Sequence, residues 1–116
     1  MPIKVIDEQM QKSVLSELAK ERYGDLVKAV VDVKRELMMV GGDLHADEEA
    51  LLLEQGSEQQ DLWGINLYPD KSGEELIEFD SVINLRPSQG NTSRDVIDPK
   101  VRQKIKEIVT ALVGES

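Results

Sequence analysis

His45 is the only histidine in the 116-residue chain, and it stands in the run Leu44-His45-Ala46-Asp47-Glu48-Glu49. A neutral imidazole beside carboxylates can serve in acid–base chemistry or help to hold a divalent cation. His45, Asp47 and Glu48 are therefore the candidates for catalysis. The competing reading is a loop histidine whose acidic neighbours satisfy local backbone groups. One short stretch with no second histidine is a poor metal set, and its spacing does not match a calcium loop. The chain has no cysteine, so thiolate zinc sites, thiol catalysis and disulfides are excluded. No metal and no cofactor is expected, and no Ser-His-Asp or Cys-His set can be assembled.

A second constellation has the chemistry of binding. Ile77, Phe79, Ile83 and Leu85 lie on one parity, as on one face of a β-strand. The other parity reads Glu78, Asp80, Val82, Asn84, Arg86, a polar row able to face a ligand. It runs into Arg86-Pro87-Ser88-Gln89-Gly90-Asn91-Thr92-Ser93-Arg94. Two arginines flanking a loop of small hydroxyl and amide residues can clamp a carboxylate or phosphate. The structural alternative is that Arg86 pairs with an acid on the sheet while Asn91 and Ser93 fix the loop. Upstream, Trp63 and Gly64 lie on a strand where Asn66 and Tyr68 project together. Trp63 is a core residue if it faces inward and a stacking or interface anchor if it faces out. The candidate binding residues are thus Arg86, Asn91, Arg94, Asn84, Asn66, Asp80, Tyr68 and Trp63.

These groups need elements to carry them. A helix is expected over Ser13–Arg22, with Ser13 as its cap and Gly24 at its end. From Val27 to Val40 the period changes to two, and Val30, Val31 and Val33 favour one long strand over a helix. After the Gly41-Gly42-Asp43 turn, Leu44–Glu49 reads as loop and Ala50–Glu54 as a strand. Strands follow over Asp61–Tyr68 and Glu75–Arg86, separated by Pro69-Asp70-Lys71-Ser72-Gly73. Asp98-Pro99 opens a final helix with the stripe Val101, Ile105, Ile108, Leu112, closed by Gly114. Residues 1–6 alternate weakly, as in a short edge strand.

The expected architecture is a single α+β domain over residues 1–116. It is a two-layer fold: a four-stranded antiparallel meander sheet with an N-terminal and a C-terminal helix packed on one face. The polar row would then lie on the open face.

The net charge of −9 argues against generic binding to nucleic acid, and few aromatics are present to stack on bases. Acids dominate from Gly41 to Asp80, and bases dominate from Arg86 to Lys106, which predicts a dipolar surface. No apolar run is long enough for a membrane span, and the N-terminus does not read as a signal peptide. A cytoplasmic location is expected.

Gly41-Gly42-Asp43-Leu44-His45-Ala46-Asp47-Glu48-Glu49, Leu62-Trp63-Gly64-Ile65-Asn66-Leu67-Tyr68-Pro69, and Phe79-Asp80-Ser81-Val82-Ile83-Asn84-Leu85-Arg86-Pro87 with Gly90-Asn91-Thr92-Ser93 carry a resemblance. From about Gly24 to the final helix, the chain resembles a small bacterial family known only as a domain of unknown function. The resemblance implies a stand-alone cytosolic prokaryotic protein. It implies no activity, so no functional residue is carried over from it.

The leading functional expectation is a small binding protein that holds an anionic small molecule or an acidic partner segment near the Arg86–Arg94 loop. The rival is a hydrolase or phosphate-transfer enzyme that uses His45 with Asp47 or Glu48. It requires His45 to share a cleft with the arginines. A third is an interaction module or homodimer formed through the open sheet face.

Overall fold

A computed structural model describes residues 4–114. Ten elements follow in chain order: β1 (Lys4–Ile6), β2 (Met10–Gln11), α1 (Lys12–Arg22), β3 (Val27–Asp32), β4 (Leu37–Val40), α2 (His45–Glu54), β5 (Leu62–Leu67), β6 (Ile77–Glu78), α3 (Pro99–Leu112) and β7 (Val113–Gly114). The fold mixes helices with an open antiparallel sheet. That sheet has five strands in the order β1-β4-β3-β5-β6, not four. The added edge strand is β1, within the weakly alternating start of the chain. Residues 1–3 of that expectation lie outside the described residues. A separate parallel pair joins β2 to β7, with Met10 opposite Val113.

The predicted strand over residues 27–40 is a hairpin, and Asp32 is the reason. Its buried carboxylate accepts from the N–H groups of Lys34 and Arg35 at 3.0 and 2.9 Å, and from Ser57 Oγ at 2.6 Å. An aspartate that folds back on the next two amides turns the chain. Glu36 completes the turn at a φ of 58°. The arms β3 and β4 pair antiparallel, and β3 lies at the centre of the sheet because β5 pairs on its other side.

One face of the sheet carries the larger core. Leu15, Leu18 and Ala19 of α1, and Ile105, Ile108, Val109 and Leu112 of α3, pack with Ala29, Val31, Val40, Trp63 and Ile65. Both terminal helices thus lie where the sequence put them. Asp98 caps α3 by accepting from Lys100 N at 2.8 Å. Ser13 does not cap α1, because that helix begins one residue earlier, after Gln11.

The second face is not bare. Residues read as loop and strand, from His45 to Glu54, form α2, and Leu52 packs with Val30, Leu37, Met39 and Leu62. The physical reason is composition: Ala, Glu and Leu favour a helix, no β-branched residue opposes it, and Asp47 and Glu48 suit its first turn. The meander therefore gains a helical crossover between β4 and β5. Over part of its area the sheet is the middle of three layers.

Candidate functional site

The expected last strand survives only as Ile77–Glu78. Beyond it, the chain still runs beside β5, but side chains take over the role of the strand ladder. Asn84 Oδ1 accepts from Gly64 N at 2.8 Å, and its Nδ2 donates to Gly64 O at 3.0 Å and to Arg94 O at 2.9 Å. Ser81 sits so close over Gly64 that a Cβ there would lie 2.6 Å from the serine Cβ and Oγ. Ser81 Oγ accepts from Ile83 N at 3.3 Å, bending Val82–Asn84 into a single tight turn. The polar row is thereby broken. Val82 is 61% exposed, whereas Asn84 and Arg86 are buried.

Arg86 is committed to the fold. Its guanidinium donates to the carbonyls of Ile83 (3.0 Å), Gln59 (2.6 Å) and Leu62, and to Gln89 Oε1 (3.1 Å). It lies 4.4 Å from the centroid of the Trp63 ring, and Trp63 faces the core. Burial draws the Arg86 pKa below its ordinary value, and the charge of Glu49 opposes that shift. Asn91 is as fully engaged. Its Nδ2 donates to the carbonyls of Asn84, Ser93 and Asp95, and its Oδ1 accepts from Ile97 N at 2.8 Å. Asn84, Arg86 and Asn91 thus brace the loop, and the acid partners expected for Arg86 are replaced by carbonyls.

A cleft of about 440 Å³ lies beside this loop, lined by Trp63, Asn91, Gln60, Gln89, Asp61 and Asp98 among others. Its charged lining is acidic, the opposite of an anion clamp. Asp61 has its pKa raised, first by burial and then by Asp32 and Glu58. A wider cleft of about 840 Å³ lies between α3, β7 and the 72–77 segment, with Lys12, Lys106 and Glu74 on its walls. A third, of about 310 Å³, lies along α3.

The remaining predicted residues converge elsewhere, near the far end of β5. His45 opens α2, is 8% exposed, and its Nε2 donates to Ile65 O at 2.7 Å. A carbonyl can only accept, so Nε2 carries the proton and Nδ1 presents a lone pair. Burial lowers the His45 pKa from 6.5. The Ile65 bond resists that shift, Lys28 and Arg94 reinforce it and Asp80 opposes it. The imidazole is neutral at pH 7.

Asn66 follows Ile65 and stands opposite Lys28 in register. Its Nδ2 donates to Glu78 Oε1 at 2.8 Å and to Asp80 O at 3.4 Å. Tyr68 OH donates to the same Glu78 oxygen at 3.0 Å. Burial first, then this bond to Glu78, raises the Tyr68 pKa. Asn66 is also 8% exposed, and its Oδ1 is buried without a hydrogen-bond partner. Asp80 Oδ1 accepts from Arg94 Nε at 2.6 Å. Tyr23, whose ring lies 5.1 Å from Lys28 Nζ, donates to Asp43 O at the approach to α2.

His45, Asn66, Tyr68, Asp80 and Arg94 therefore form one neighbourhood, and Arg86, Asn84, Asn91 and Trp63 form another. Leu62 and Asn66, which mark the two, are four residues apart on β5, or about 13 Å. Asp47 is exposed, and Glu48 is buried with Oε2 accepting from Gly42 N at 2.9 Å. That bond ties α2 to the end of β4. Lys28 and Tyr23 were not singled out in the sequence. Only strand register and the α2 helix bring them to His45, and neither was readable. Among the described residues, no group of three His, Asp or Glu side chains is placed to hold a metal ion, and no helix is long and apolar enough to cross a membrane.

The chain belongs to the family described as Protein of unknown function (DUF5674), whose model matches residues 4–112. Neither the curated proteins nor the solved structures contain a match to it.

Proposed function

We propose that this chain is a small binding protein whose ligand site is the polar neighbourhood of His45, Lys28, Asn66, Asp80 and Arg94, and that the ligand is an anionic small molecule or an acidic segment of a partner. The observation that carries the reading is the buried, unpaired acceptor Asn66 Oδ1 beside His45, whose ring feels the charges of Lys28 and Arg94. Buried polar groups in native proteins are almost always hydrogen-bonded, so the unpaired Asn66 Oδ1 marks a place for a donor. Arg94 is exposed, and its Asp80 partner leaves guanidinium donors free to turn to an anion. Lack of cysteine and of an apolar span suits a bacterial cytoplasm, where the protein would work.

The test is a titration with sodium acetate at constant ionic strength, followed by amide chemical shifts. Residues 43–46, 65–67, 80 and 94 should move, and Arg94→Ala should remove the response without unfolding the protein. Shifts confined to the Arg86 loop, or none at all, would end this reading.

A second reading is enzymatic. Nδ1 of a neutral His45 is a competent general base, and Arg94 could steady developing negative charge. A third is a homodimer through the second face, favoured by exposed Leu53, Val82 and Leu85 on α2 and the adjoining turn. Light scattering after size exclusion decides the third.

A further inference from the structure

The cleft of about 840 Å³ between α3, β7 and the 72–77 segment shares no residue with the His45 neighbourhood. We propose that it is a second binding site, for an organic anion in which an apolar body carries a phosphate or carboxylate group.

Small-molecule sites are concave, roughly 300–1,000 Å³ in volume, and mostly apolar with a few polar groups that fix orientation. This cleft has that size and that make-up. Leu76, Ile77 and Val113 form its apolar side. Val113 is buried, and Leu76 and Ile77 are half-buried against the main core. Such side chains stay partly wet in the free protein, and an apolar body laid on them removes that surface from water. Ser72, Gln103 and Thr110 add exposed hydroxyl and amide groups around them.

Charge selects among apolar ligands. The chain carries −9, yet the charged residues of this cleft are Lys12, Lys106 and Glu74. Both lysines are half-buried, so their stems lie on apolar surface while the ammonium groups keep to the rim. They reach one segment from two helices: Lys12 Nζ donates to Lys71 O at 2.6 Å, and Lys106 Nζ stands 4.0 Å from Glu74 Oε1. Neither hold is strong. One partner is a neutral carbonyl, and the Glu74 side chain is 94% exposed, so water screens its pairing. Lys12 also opens α1, whose first turn holds no acid, and the positive end of that helix adds to the ammonium charge. With Glu74 turned to solvent, two cations flank an apolar floor. An anion without a body leaves the floor wet, and a body without a charge leaves both ammonium groups as they are. The cleft beside Asn91, with Asp61 and Asp98 on its walls, has the opposite sign and repels the same ligand.

The experiment titrates the whole protein with 2-naphthyl phosphate, 2-naphthol and inorganic phosphate at constant ionic strength, followed by amide chemical shifts. The ester should bind about tenfold more tightly than either fragment. Its shifts should gather at residues 72–77, 103–110 and 113. Lys12→Ala and Lys106→Ala should each weaken the ester about fivefold, with 2-naphthol binding and the urea midpoint unchanged. Equal affinity for the ester and inorganic phosphate would reduce the cleft to a charged surface, and equal affinity for the ester and 2-naphthol would reduce it to an apolar patch. Either result overturns the inference. So do shifts confined to residues 80 and 94, no binding by any of the three, or capture of a polyglutamate peptide in place of the ester, which would give the cleft to a partner segment. The acetate titration reports on other residues, so the two sites stand or fall separately.

Discussion

The side-chain amide of Asn84 holds both backbone groups of Gly64, accepting from its N–H at 2.8 Å and donating to its carbonyl at 3.0 Å. Strand β6 is too short to reach this far, so one amide side chain stands in for a strand residue. Asn84→Ala leaves the N–H and the carbonyl of Gly64 unpaired in a buried place, while Arg94 O keeps its bond from Ser81 N. Asn84→Asp restores the acceptor but sets a carboxylate against the carbonyls of Gly64 and Arg94. Each variant should lose about 2–4 kcal/mol in urea unfolding. A loss under about 1 kcal/mol would mean that water replaces the amide at no great cost.

Arg86 and Arg94 should part company under mutation. Arg86→Ala strands the carbonyls of Leu62 and Ile83, while Gln59 O keeps the Leu62 N–H, and should cost about 2–4 kcal/mol. Arg86→Lys should recover less than half of that, because one ammonium cannot fork to three carbonyls while lying on an indole. Arg94→Ala removes an exposed ion pair and should change stability by about 0.5 kcal/mol or less. Chemical denaturation of the three variants checks this. Equal losses at both positions would contradict the division between brace and binding arm.

His45 should make stability depend on pH in a defined direction. Its folded-state pKa lies below 6.5, so on acidification the unfolded chain takes up the proton first. Stability from the neutral ring is therefore complete above about pH 6.5 and falls as pH drops toward the lower, folded value. His45→Gln can keep a donor toward Ile65 O but cannot titrate. Thermal melts between about pH 7.5 and about pH 5.5 should show a shallower slope for the variant than for the parent. Parallel curves would mean that the ring is as easily charged in the fold as out of it.

Elements marked by strong local rules were legible: α3 from its Asp-Pro start and apolar stripe, α1 from its apolar face, and β5 from its alternation. The 44–54 segment was misread because three consecutive leucines resemble a strand, and only the helix-favouring Ala and Glu around them say otherwise. The 79–86 segment was misread for a subtler reason. Its alternation is real, yet Ser81 and Asn84 bond to backbone and bend it, and a period-two pattern does not report such bonds. As for the site, the sequence marked Asn66, Tyr68, Asp80, Arg94 and His45 on separate grounds. Their meeting depends on register and on α2. The prominence of Arg86 and Asn91 reflected a structural duty that uses the same residue types as recognition.

The pairing of β2 with β7 joins Met10 to Val113, roughly 100 residues apart in the chain. Helix α3, which shares a core with Leu15 and Leu18, also follows every strand of the main sheet in the chain. A growing chain can thus pair the main sheet while one greasy side is still uncovered, and it cannot join β2 to β7 until α3 has been made. Tags or fusions placed next to β7 should delay that pairing rather than disturb the main sheet.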